Sequence, residues 1–275
     1  MSACICDERQ ETGYRLSAKF WIMLKLTFAA LGAVAAVAPA FADDAPFVTG
    51  RPGNTESPIA VPTGHWQIET AIADYSHDRE AGVTEEGWSA LQTSFRYGLA
   101  YGWDAEAIVS PYQRDAAGGA SVGGFGDVTL RVRHTFSGED GNGPSFALIG
   151  YATLPTSKNG LGVDRVEGGL IATGVEPLNA KTSLTLTLGA GAVHDGGYEG
   201  DVYGGANVSY AFTDKIGGYI ELFADRTAHD DTAATFDFGA TYLTGPTTQL
   251  DCGVNLGLTD AASDEEVFVG WSHRF

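Results

Sequence analysis

The chain has 275 residues, with 35 acidic against 16 basic side chains, a formal charge of −19, 37 glycines and 11% aromatic residues. It is too apolar and aromatic for a disordered chain, and with no basic cluster it offers no electrostatic footprint for nucleic acid. Three cysteines, two of them at Cys4 and Cys6, build neither a disulfide framework nor a cysteine zinc site.

Residues 1–42 read as a secretory signal peptide. Arg15, Lys19 and Lys25 precede an uncharged run from Leu26, which ends Ala40-Phe41-Ala42 before Asp43-Asp44. Met23 opens a signal of ordinary length by itself, so it is a second candidate start. Cleavage after Ala42 leaves 233 residues carrying 32 acidic and 12 basic side chains. Residues 43–64 are Pro-rich and show no alternation, and are expected to form an N-terminal periplasmic or plug segment.

From residue 65 onward the hydrophobic period is two. Leu184, Leu186 and Leu188 share one face and Thr185, Thr187 and Gly189 the other, which is the alternation of a strand. The same pattern predicts twelve strands near 65–76, 87–97, 102–113, 125–136, 145–155, 165–176, 181–193, 201–212, 216–225, 232–243, 248–258 and 266–275. Each has about the length that crosses a bilayer at a tilt, and the number is even, as in one-chain bacterial barrels. Connections alternate between short turns and longer Asp/Glu/Gly-rich loops, which a soluble sandwich has no reason to do. The last strand places Val267, Val269, Trp271 and His273 on one face and ends at Phe275, the kind of terminus that barrel-insertion machinery reads; Trp271 and Phe275 are therefore the assembly-signal candidates. The reading is an all-β, antiparallel transmembrane β-barrel over 65–275 in the bacterial outer membrane. Its partners are outer-membrane lipid and lipopolysaccharide, the insertion machinery and a small-molecule solute, with no nucleic acid.

A resemblance adds to this. Gly50-Arg51-Pro52-Gly53-Asn54-Thr55-Glu56-Ser57-Pro58 leading to Gly64-His65-Trp66-Gln67-Ile68-Glu69, then Phe125-Gly126-Asp127-Val128, Leu154-Pro155-Thr156, Gln249-Leu250-Asp251 and the ending Arg274-Phe275, resemble the bacterial outer-membrane family labelled "MetA-pathway of phenol degradation". That resemblance implies a transporter linked to aromatic-compound degradation. Ser157 stands where the family pattern has Gly, and His273 where it has an aromatic.

The sequence carries no Gly-x-Ser-x-Gly, His-Glu-x-x-His or Walker motif, and its six histidines fall on different elements, so no enzyme, cofactor or metal site is expected. Asp140 and Asn142 have the start of an EF-hand spacing, but the fifth loop position is Pro144 and the twelfth Tyr151, so the stretch reads as a solvated turn. If apolar residues face lipid, the lumen holds nine acids and four basic residues. Among these, Arg131 and Arg133 are expected across from Glu221 and Asp237 as selectivity residues. Arg274 between Asp251 and Glu69, and Arg96 facing Asp104, are expected to form barrel-closing ion pairs. The functional expectation is a passive channel for small molecules, and the alternative is a structural barrel closed by those charges and the N-terminal segment.

Overall fold

The computed structural model describes residues 46–275 except 81, 142 and 159, so the proposed signal peptide lies outside the described residues. The chain forms fourteen strands: β1 (Trp66–Glu80), β2 (Val83–Ala100), β3 (Trp103–Val109), β4 (Tyr112–Ala117), β5 (Ala120–Gly124), β6 (Val128–Ser137), β7 (Ser145–Leu154), β8 (Glu167–Asn179), β9 (Thr182–His194), β10 (Tyr198–Ala211), β11 (Ile216–Thr227), β12 (Ala233–Gly245), β13 (Thr248–Gly257) and β14 (Glu265–Arg274). Every pairing between them is antiparallel, and β1 bonds to both β2 and β14, so the sheet closes on itself. Twelve strands make the ring, and the β4–β5 hairpin extends its third and fourth staves. Closure leaves the twelve-strand ring without an unpaired edge, which a strand needs in a solvent without hydrogen bonds.

The expected strands are all present; two expected loops are shorter than the sequence suggested. The acid-rich stretches 77–86 and 114–124 continue as strand and turn tightly. Gly118 and Gly119 both take positive φ, 56° and 88°, the geometry of a two-residue hairpin turn, and Gly82 sits at 85° in the other. Their polar side chains look like loop composition, yet beyond the membrane both faces of a sheet meet water and alternation is no longer required. Ser110-Pro111 separates β3 from β4, because proline has no N–H to give the ladder with β2. Opposite that break Leu91 holds a positive φ of 59°, and Gln92 Nε2 donates to Ser110 Oγ at 3.1 Å.

Burial is inverted relative to a soluble protein. Leu188 is 67% exposed while Thr187 beside it is 6%, and Phe238 is 39% exposed beside Asp237 at 0%. The outward faces are leucine, valine, isoleucine and aromatic side chains. The inward faces are mostly polar and charged, with a few apolar side chains such as Ile149, Ile171 and Phe268 among them. At the short-turn end the outward aromatics gather: Trp66 meets Tyr97 at 4.8 Å between ring centroids, and His134 stacks on Trp103 at 4.2 Å and meets Phe136 edge-on. This is the girdle of a membrane interface. His134 is one of its rings, with Nδ1 on the Gly102 carbonyl oxygen.

Candidate functional site

The lumen is occupied by residues 46–64 of the same chain. Pro46 starts at the short-turn end, where its carbonyl accepts from Arg274 Nη1 at 2.9 Å. The chain then rises to mid-height near Glu56 and returns to the same end, where Gly64 N donates to the Gly98 carbonyl at 2.8 Å before β1 begins. Pro52, Pro58 and Pro62 keep this stretch from joining the sheet, and it has no alternation to match a barrel face. Gly98 permits its close return, since a Cβ there would come within 2.0 Å of the Pro62 carbonyl oxygen.

The wall charges are satisfied by this segment. Arg131 Nη1 reaches Glu56 Oε1 at 2.6 Å and Arg133 Nη2 reaches Glu56 Oε2 at 3.4 Å. On the opposite wall Glu221 accepts from Asn54 N at 2.7 Å, Thr55 N at 3.1 Å and Thr55 Oγ1 at 2.6 Å, and Asp237 accepts from Asn54 Nδ2 at 3.1 Å. Arg131 and Arg133 on β6 stand across the ring from Glu221 on β11 and Asp237 on β12, and the segment stands between them. Direct hydrogen bonds and ion pairs to the segment satisfy these charges.

The rim pairs differ in part from expectation. Arg96 lies between Glu69 at 3.1 Å and Asp104 at 2.6 Å, and all three are buried. Asp251, however, pairs with Arg51 of the segment at 3.0 Å. Arg274 is opposite Gln67 in register, whereas Asp251 is opposite Gly270, and this stagger carries the Arg274 guanidinium toward Pro46 and over the Phe47 ring, 5.8 Å away. Glu69 also accepts from Gly50 N at 2.8 Å. Reading face by face along strands misses Arg51, Asn54, Thr55 and Glu56, because alternation says nothing about a segment outside the sheet. The excess of lumenal acids was the available signal that something with donors must enter.

Two stretches that carried the family resemblance meet outside the membrane-spanning strands. Asp127 accepts from Thr156 N at 2.9 Å, Ser157 N at 2.8 Å and Val163 N at 2.6 Å, which folds the β7–β8 loop inward and buries Leu161. Partial burial works against its charge, but the three backbone N–H groups outweigh it and hold the carboxyl below the usual carboxylate range. A depressed carboxyl stabilises above the unfolded-state value and loses that contribution as pH falls through the folded one. We therefore expect loop 155–163 to become protease-sensitive under acid, below about pH 4, and Asp127→Ala to make it so at neutral pH. Limited proteolysis of the folded barrel checks both; equal cleavage in parent and variant would remove the staple.

Two cavities flank the occupied middle. One of about 510 Å³ lies at the short-turn end between the segment and the wall, touching Arg51, Gly53, Asn207, Tyr219 and Thr241. Another of about 630 Å³ lies at the far mouth, bordered by Asp78, Glu85, Glu86, Asp115 and Asp260.

Solved structures with this architecture include the COG4313 outer membrane channel from Pseudomonas putida F1, 18% identical, covering 82% of this chain and 99% of that one with a TM-score of 0.60. The KdgM porin is 11% identical, covers 76% and 99%, and has a TM-score of 0.50. The NanC porin, 9% identical, covers 76% and 98%, also with a TM-score of 0.50. All are barrels, and at these identities the likeness is one of fold. No curated protein sequence matches the chain. The family model described as "Putative MetA-pathway of phenol degradation" matches residues 49–275, from the lumenal segment to the terminal phenylalanine, and the chain belongs to that family.

Proposed function

We propose that the protein is an outer-membrane channel for small molecules, without enzymatic activity, whose pore is narrowed by its own N-terminal segment. The observation that carries this is the inversion of burial: an apolar belt outside and a largely polar, hydrogen-bonding lumen inside. Such a lumen stabilises water and polar solutes where lipid cannot. The family description supports small organic solutes, aromatic compounds among them. Filling of mid-lumen by residues 46–64 favours the second reading, a closed structural barrel.

Bilayer recording of the refolded mature protein with inorganic ions and aromatic acids separates the two. Discrete conductance steps are expected, and their absence in repeated insertions would leave the structural barrel. Orientation is tested with single cysteines at 118 and 260 in a Cys252→Ser background. They should label from outside intact cells, and labelling only after the outer membrane is opened would reverse the topology.

The same reading gives the last residue a role in assembly through the insertion machinery, with lipopolysaccharide around the outer loops. Phe275 N donates to the Trp66 carbonyl at 2.8 Å, so the terminus also zips β14 onto β1. Deleting Phe275 should cut outer-membrane yield severalfold, while an aromatic in place of His273 should raise or preserve it. Quantitative blotting of outer-membrane fractions checks this, and normal yield without Phe275 would exclude the role.

A further inference from the structure

We propose that the barrel wall holds a seat for planar organic cations of the amidinium or guanidinium class, filled here by Arg51 of the lumenal segment. A solute of that class competes with Arg51 for it. The proposal deepens the channel reading by naming a solute class, and rests on it only for transport.

The seat is built on β13 and β14, with Tyr219 of β11 at its edge. Arg51 donates through Nε and Nη2 to a single oxygen of Asp251, Oδ1, at 3.2 and 3.0 Å. Its guanidinium carbon lies 5.3 Å from the centroid of the Phe268 ring, the placement of a cation–π contact. Two glycines form the floor. A Cβ at Gly270 would come within 2.4 Å of Arg51 Nε and 2.5 Å of Asp251 Oδ1, and one at Gly253 would come within 2.4 Å of Phe268 Cζ and 2.8 Å of Tyr219 Oη. Any larger residue at either position would fill the slot, so the wall is hollowed to the thickness of a flat group.

Arg51 uses only part of what the seat offers. The Asp251 side chain is fully buried, yet its Oδ2 has no hydrogen-bond partner among the described residues, and neither does Tyr219 Oη or Asp237 Oδ1. All three residues are more than nine-tenths buried. Buried acceptors and hydroxyls left without partners are costly, and a carboxylate engaged through one oxygen forgoes the two-pronged contact that guanidinium and amidinium groups favour. Arg51 reaches the seat from a tethered backbone. Its backbone N and that of Gly50 are held on Glu69 at 3.3 and 2.8 Å, and Pro52 fixes the next residue. A free planar cation has no such tether. It can span both Asp251 oxygens, stack on Phe268 and donate toward Tyr219 Oη, and the 510 Å³ cavity that touches Arg51 and Tyr219 gives it room to approach. Since Arg51 and the solute exclude each other, weakening one strengthens the other.

The test is isothermal titration calorimetry on the refolded mature protein with benzamidine, benzoate and benzyl alcohol, followed by bilayer recording. Heat-modifiable gel mobility confirms that each variant is folded. Benzamidine should bind, with benzoate and benzyl alcohol at least tenfold weaker. Arg51→Gln should raise benzamidine affinity about tenfold by removing the internal competitor, and Asp251→Asn should lower it by at least that factor. Comparable binding of all three compounds, or benzamidine affinity indifferent to Arg51→Gln, overturns the seat. In the bilayer, benzamidine should increase the conductance of the parent and not of Arg51→Gln. Binding as expected with no pore in any condition would keep the seat and remove the channel reading. A conducting pore with no benzamidine binding would do the reverse.

Discussion

Removing residues 46–64 from the mature chain should raise single-channel conductance by about an order of magnitude, because the segment occupies the middle of a barrel whose diameter is set by strand number and tilt alone. The ring does not depend on the segment for its closure: β1 is laddered to β2 and β14 along nearly its whole length. Deletion exposes Glu221, Asp237, Arg131 and Arg133 to water, not to a dry cavity, so their charges are hydrated and the barrel persists. Heat-modifiable mobility of the truncated protein gives the control. The open pore should prefer cations, since the lumenal wall keeps its excess of carboxylates. Unchanged conductance in a folded truncated barrel would mean that the segment is not the barrier.

The second large effect is expected at Glu56, the acid of the segment that bridges Arg131 and Arg133, the latter also 3.5 Å from Asp104. Arg133 is 2% exposed in its side chain while Glu56 is 17% and Arg131 21% exposed. Breaking a fully buried pair by removing one partner costs roughly 3–5 kcal/mol, and partial access to water lowers that to about 2–3 kcal/mol here. In a closed barrel the loss falls on docking of the segment. Glu56→Gln should shift the docked-to-released balance by about 30- to 150-fold, read as longer open dwell times, with the reversal potential moved toward anions. Arg131→Gln combined with Arg133→Gln should loosen the segment too, yet move the reversal potential toward cations. Opposite signs from the two variants are the diagnostic. A shift of the same sign in both would mean that these charges do not face the conducting path.

Most of the ring was legible from residue order, because each stave must present apolar side chains to lipid and polar ones to the lumen, and a period of two over ten residues has few other meanings. Leu184 to Leu188 and Phe236 to Phe238 show how little ambiguity such stretches leave. Legibility ended where that constraint ended. Beyond the membrane, residues 77–80 and 114–117 are strands whose two faces both meet water, so they looked like loops. The lumenal segment was harder. Its side chains find their partners at distances set by closure of the ring, as with Arg51 and Asp251, 200 positions apart. Local pattern identified the acids that needed donors and a Pro-rich stretch that could enter, but not which donor meets which acid.

The path of residues 46–64 also governs how the barrel can be made. Both ends of the segment, Pro46 beside Arg274 and Gly64 beside Gly98, lie at the same rim, so it enters as a bight and not as a threaded rope. A bight can slide in after the ring is sealed and be drawn out again without unlacing a single stave or passing a chain end through the hole. The insertion step and the corking step are thereby separable in time.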